Sequence, residues 1–382
     1  MPAASHSLSY RISSLRQRGF TLIEMMVGIV IALVGSLVIF QTVIVSDART
    51  RTTTSGGEAQ TTGVLAMYNL ERDIRLAGMG FGTATWDIMG CPVSVYDSLH
   101  ATPVFSPSPL LVPVRITDNG TAPDEITVLY GNSSFFVAAQ PFQTSTATAK
   151  KAQRHYGFQP GDLVVVAGNM AATYASASCA LVQITKNDNP DEVALDHATG
   201  TYTNFYTNGD KTANFNSATG TGTTFTSGGF LFNLGNAPKL DTWSIDSTGR
   251  VLQWVDRFAI PTGIPTTFQV ADGVINLKAQ YGIDSNGDGM VDSWTSTDPS
   301  DWTTVRAVRV ALLVRSAQAE ATKVTPSAPQ WSGGAFTMAN GNGIADWQLY
   351  RYRVYEREIP LRNMIWGTTG AASAPSGTRA AP

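Results

Sequence analysis

Asp284-Ser285-Asn286-Gly287-Asp288-Gly289-Met290-Val291-Asp292 puts oxygen-bearing side chains at loop positions 1, 3, 5 and 9, with a glycine at position 6. Short calcium loops have this spacing, because alternate residues of a tight turn can aim about six to eight oxygens at one ion at about 2.3–2.6 Å. Asp284, Asn286, Asp288 and Asp292 would supply side chains and Met290 its carbonyl. Position 12 is Thr295 rather than the bidentate glutamate of an EF-hand, and the flanks read as strands. The expectation is a calcium loop joining two strands. The same residues suit a polar hairpin that needs no ion, since Asn-Gly and Asp-Gly are strong turn formers. Cys91 and Cys179 are the only cysteines. In an oxidising compartment such a pair is expected to form a disulfide, the alternative being two buried thiols. His6, His100, His155 and His197 are scattered, and no His-Glu-x-x-His, Gly-x-Ser-x-Gly or phosphate-binding glycine loop occurs. The chain reads as a non-enzyme.

Glu24 poses a different problem. Residues 1–18 contain Arg11, Arg16 and Arg18 and no acidic residue, while residues 20–45 are apolar apart from Thr21, Glu24, Ser36, Gln41 and Thr42. A helix of that length crosses about 30 Å of hydrocarbon at about 1.5 Å per residue, and a carboxylate inside it costs roughly 2.5–3.5 kcal/mol. Cleavage after Gly19, before the apolar run, would create a free amine on Phe20. In a staggered bundle Glu24 of one chain meets the amine of its neighbour, and unlike charges attract strongly at low dielectric. Gly19 and Phe20 are therefore the expected processing residues and Glu24 the assembly residue. The alternative is a carboxylate that snorkels to the interface without a partner. The basic leader favours the cytoplasmic side, which puts the rest of the chain beyond the inner membrane.

Helical spacing of Val64, Met67, Tyr68 and Ile74 continues the helix over residues 58–77, with Glu71 and Arg75 as an i,i+4 pair and Gly78 and Gly80 as a stop. Residues 50–57 are β-branched and glycine-bearing, so they are expected to bend or melt it. Strands are expected at 125–130, 162–167, 180–185, 249–255, 274–281, 304–315 and 350–359, from Val, Ile and aromatic enrichment between turn residues. Residues 197–229, rich in Thr, Gly, Asn and Ser, read as a loop dividing two β-rich lobes. Trp243, Trp254, Trp294, Trp302, Trp331 and Trp347 are expected mostly in core packing, with a ligand surface as the other reading. Charged residues are 14% and formal net charge is −3. Loss of the three leader arginines takes the charge to −6. That balance argues against direct nucleic-acid binding.

The stretch RGFTLIEMMVGIVIALVGSLVIF resembles the signal of type IV prepilins and pseudopilins. In that family a prepilin peptidase cuts after the glycine, here Gly19, and N-methylates the new first residue, here Phe20. Residues 57–82, FLFNLGNAPKL near 235, VADGVINLKAQYGIDSNGDGMVDSW at 270–294 and YRYRVYEREIPLRNMIW at 350–366 resemble the PilW family of minor pilins. The resemblance implies an α+β, type IV pilin-like fold: a long N-terminal helix, transmembrane in its first half, followed by a large antiparallel β-rich head. The organisation expected is a leader at 1–19, a transmembrane helix at 20–45, its extension at 46–80, head lobes at 81–196 and 230–366 around the 197–229 loop, and a disordered tail at 367–382. The implied function is assembly with other minor pilins and the major pilin to prime a type IV pilus, at or near its tip, with a tip adhesin as a further partner. The protein would sit in the inner membrane before assembly and in the fibre afterwards. Two alternatives stand beside it: an adhesive tip module with a calcium-stabilised loop, and a minor pseudopilin of type II secretion.

Overall fold

The computed structural model describes residues 19–85, 88–98, 105, 108–133, 139–168, 179–187, 194–221, 225, 229–258, 266–338 and 346–368. The leader arginines, His6, His100 and the tail from 369 onward lie outside these. Compactness divides the chain into two units, Met1–Thr54 and Ser55–Pro382.

Helix α1 runs over Leu22–Leu76 without interruption. The 50–57 patch, expected to bend or melt, is helical; its backbone hydrogen bonds outweigh a weak local propensity. In the second unit one face of α1 is buried through Ala66, Met67, Leu70, Asp73 and Ile74. The helix stops at Gly78 and Gly80, whose φ angles of 79° and 99° suit glycine and not a side-chain-bearing residue. Its last carbonyls are satisfied from far along the chain: Asn363 Nδ2, on the short helix α2 (Arg362–Thr368), donates to Leu76 O at 3.1 Å and Ala77 O at 2.9 Å. Positions 367 and 368, expected at the start of a disordered tail, belong to this second helix.

Three main sheets follow. A seven-stranded sheet contains Leu163–Gly168, whose side chains alternate between two cores: Leu163, Val165 and Ala167 face the main core, Val164 and Val166 a second one with Phe142, Leu195 and Phe225. A five-stranded antiparallel sheet joins Val114–Thr117 and Glu125–Tyr130 to Lys239–Ile245, Val251–Asp256 and Thr266–Asp272. A four-stranded antiparallel sheet contains Val274–Ile283, Val305–Arg315 and Tyr352–Pro360. Val308, Val310, Leu312 and Val314 share one face and enter the main core with α1. Ala311 and Leu313, on the other face, are covered by Phe336.

The strands do not sort by the two expected lobes. Gly229–Gly235 pairs with Leu163–Gly168, and Glu125–Tyr130 pairs with Lys239–Ile245. Residues 197–229, expected as a loop, carry the hairpin Thr201–Asn204/Gly209–Thr212. Buried Tyr202, Phe215 and Phe225 anchor the segment, and its threonines suit a pleated strand. Cys91 and Cys179 form a disulfide with Cα atoms 6.1 Å apart. Val93 pairs in parallel with Cys179, so the bond staples the start of an edge strand to its neighbour. Closing 88 residues is worth about 4–5 kcal/mol in the chain-entropy account.

Candidate assembly site

The segment from Leu22 to Asp47 is 26 residues long, apolar enough to cross a membrane, and exposed throughout. At its start the structure shows something beyond a lone carboxylate. Thr21 N–H and Thr21 Oγ1 each donate to Glu24 Oε2 at 3.0 Å, and Glu24 N–H donates back to Thr21 Oγ1 at 3.3 Å. This reciprocal pair is a capping box, which satisfies amides that the first helical turn leaves without partners. The Thr-x-x-Glu spacing carries that signal in the sequence. Phe20 and Gly19 precede the cap and are exposed, so the bond between them lies outside the helix. One oxygen of Glu24, Oε2, is thus engaged by the cap.

The second unit holds its segment of α1 by specific contacts. Trp243 Nε1 donates to Asp73 Oδ2 at 3.2 Å, with both side chains buried. Tyr355 packs on Gly63 so closely that a Cβ there would overlap the ring, and its hydroxyl donates to Gln60 O at 3.2 Å. Close to Asp73 is a group of buried carboxylates. Asp241 stands opposite Asp256 in the ladder, Tyr130 OH donates to Asp241 Oδ2 at 3.4 Å, Lys239 pairs with Asp256 at 2.5 Å, and Asp241 Oδ1 has no hydrogen-bond partner. Burial, then the neighbouring Asp256 and Asp73 charges, push the Asp241 carboxyl from 3.8 up to about 7, with Lys239 and Tyr130 opposing. A carboxyl raised on folding holds its proton in the folded state while the unfolded chain releases it. The Asp241 contribution thus erodes stability as pH rises from about 4 to about 7, and the loss is complete above that window. Asp241→Asn is expected to flatten this slope and raise the melting temperature at pH 8 more than at pH 5, as read by thermal unfolding at the two pH values.

The 284–292 loop joins Val274–Ile283 to Ser293–Thr295. Its carboxylates face inward onto the loop itself. Asp284 Oδ1 accepts from Gly287 N–H at 2.7 Å, and its Oδ2 accepts from Gly289 N–H at 3.0 Å and from Arg306 Nε at 2.9 Å. Asp292 Oδ2 accepts from Ser285 N–H and Oγ, and Asn286 and Asp288 cap the amides of Asp288 and Met290. Among the described residues no group of three or more His, Cys, Asp or Glu is placed to hold a metal ion. Arg306, distant in sequence, is the partner that motif reading missed.

Both described histidines, His155 and His197, are buried. His197 is buried with Nε2 3.1 Å from Lys150 Nζ. Burial, then the Lys150 charge, pushes His197 down to about 3, and burial pushes Lys150 down to about 8. Trp243 and Trp302 are buried, Trp254 stacks on Phe268 with centroids 4.3 Å apart, and Trp294 lies under the Arg309 guanidinium at 4.0 Å.

Two family models match the chain. One, described as Type IV Pilus-assembly protein W, matches residues 246–363, a stretch from the Val251–Asp256 strand through the four-stranded sheet to α2. The other, described as Prokaryotic N-terminal methylation motif, matches residues 14–40, which include Gly19, Phe20 and Glu24. No curated protein and no solved structure matches.

Proposed function

We propose, from the premise that the chain is a PilW-type minor pilin, that it primes type IV pilus assembly together with other minor pilins and stays at or near the tip. The observation that carries this reading is the joining of a methylation motif to an exposed apolar helix and a large compact unit within Ser55–Pro382. A head of that bulk is hard to repeat along a thin fibre but is accommodated once at its end. Prepilin peptidase would cut between Gly19 and Phe20 and methylate Phe20. Glu24 would then dock on the Phe20 amine of a neighbouring minor or major pilin. Before assembly the protein would be held in the inner membrane by a single span with its head in the periplasm, and afterwards it would be carried to the cell surface. The role is structural, and a tip adhesin is a fitting partner for a head presented there. The test is a count of surface pili in a strain lacking the gene, with and without the retraction ATPase. Pili absent in the first strain and partly restored in the second are expected. Normal pili in both would refute priming and favour an adhesive head or a secretion pseudopilin.

Calcium at 284–292 is a separate proposal on the same head. Asp284, Asn286, Asp288, Met290 and Asp292 would have to turn from loop amides toward the ion, while Arg306 keeps one oxygen of Asp284 occupied. Calorimetric titration with millimolar calcium decides it. Heat that disappears in Asp288→Ala is the expected result, and no heat leaves the segment as an amide-satisfied hairpin.

A further inference from the structure

The outer face of the five-stranded sheet carries a cavity of about 300 Å³. Strand register explains what lines it. Arg115 stands opposite Thr127, and Thr127 opposite Thr242, with the two threonine hydroxyls 3.0 Å apart as a floor. Two residues along, Leu129 stands opposite Leu240, and Arg257 N–H donates to Leu240 O at 3.0 Å, which sets Arg257 at the far side of the same face. Leu110 and Val112, from the segment before the first strand of this sheet, add an apolar wall.

Two guanidiniums line this one space, and neither makes a hydrogen bond with a described residue. Arg115 Nε is buried without a hydrogen-bond partner, and the ion pair it makes with Asp298 Oδ2 is long, at 3.7 Å. The Arg257 guanidinium makes no hydrogen bond and no close ion pair with any described residue. Burial pushes it below its usual value, and only the Glu125 charge opposes. Leaving a buried donor unsatisfied costs about 1–3 kcal/mol, more when it is charged. A guanidinium presents a planar fork of N–H groups that a carboxylate matches with two parallel bonds. The cavity therefore has cationic donors at two sides, a hydroxyl floor and leucine walls. Its volume is at the small end of ligand cavities, closer to one amino-acid residue than to an oligosaccharide.

We propose that this cavity binds a carboxylate carried on an apolar stem, supplied by a partner polypeptide as its chain end or as an acidic side chain. The site stands independently of the pilus reading. Arg115 and Arg257 grip the carboxylate, and the leucines take the stem. Glu125, on the rim, rejects a second negative charge.

The test uses the full chain in detergent with three small probes, followed by saturation-transfer NMR and thermal shift. N-acetyl-leucine carries its carboxylate at a chain end. N-acetylglutamic acid α-amide carries it on a side chain. N-acetyl-leucinamide is the neutral control. At least one acid is expected to bind and the amide not, and the better acid identifies the source. Arg257→Gln and Arg115→Gln are each expected to weaken binding about tenfold or more, and Arg257→Lys, which keeps the charge but loses the fork, by an intermediate factor. Circular dichroism and an intact Cys91–Cys179 bond confirm that the variants fold. Binding of neither acid, equal binding of acid and amide, or affinities unchanged in folded variants would overturn the proposal.

Discussion

Glu24→Ala is expected to yield a protein that is cleaved after Gly19 and inserted in the membrane but absent from sheared fibres. On the proposed reading Glu24 would have two separable jobs. As a member of the capping box with Thr21 it stabilises the helix start by about 1 kcal/mol. As the proposed docking charge it would meet the amine of a neighbour, and two unit charges at about 4 Å attract by roughly 4 kcal/mol at an effective dielectric of about 20. Glu24→Gln distinguishes these, because glutamine serves in a capping box as well as glutamate but brings no charge. If docking governs assembly, Gln fails as Ala does, with incorporation lowered at least about tenfold. Thr21→Ala, which removes the cap and keeps the carboxylate, retains most assembly. Mass spectrometry of the membrane-bound chain checks cleavage, and immunoblots of sheared fibres check incorporation. Assembly of the Gln variant at the wild-type level would refute docking by charge and leave the cap as the function of Glu24.

The largest loss of stability is expected from Trp243→Ala. The side chain is buried in the sheet against α1, and truncating a buried tryptophan costs about 3–5 kcal/mol. The change also takes the indole N–H from Asp73, whose carboxyl is raised by burial, with Arg72 the larger of the opposing influences. Trp243→Phe keeps an aromatic ring and removes the indole N–H, whose hydrogen bond accounts for about 1–3 kcal/mol of the loss beside that of the smaller ring. Asp73→Ala combined with Trp243→Phe should then lose less than the sum of the two single changes, since they share one hydrogen bond. Urea unfolding of the four proteins checks this. Strict additivity would show that the bond contributes nothing beyond the volume of the indole.

The elements best legible in the sequence are those whose burial pattern repeats locally. The apolar run of α1, the LVVVAG strand and the alternating Val308–Val314 face all announce themselves through period and side-chain type, and Glu125–Tyr130 is found with its bounds intact. The hairpin at 201–212 was hidden because threonine, asparagine and glycine dominate it, and its anchor Tyr202 is meaningful only once Gln183 is beside it. The interleaving of strands was illegible for a similar reason. Nothing in Gly229–Gly235 says that its neighbour is Leu163–Gly168 rather than a later strand. At the candidate site, Gly19, Phe20 and Glu24 could be picked out because their motif is contiguous. Arg306 on Asp284, and Arg115 with Arg257 on one sheet face, are pairings made by register between distant strands, and spacing along the chain cannot supply them.

Asn363 gives the fold a sense of direction in time. The residue that closes the carbonyls of the first helix lies 287 residues beyond Leu76 and is synthesised after every strand described above. The strand preceding it supplies Tyr355, whose ring seats on Gly63 of that same helix. A chain cut before residue 352 therefore lacks both the ring that covers Gly63 and the amide that closes the Leu76 and Ala77 carbonyls, so the first helix depends at both places on segments made long after it.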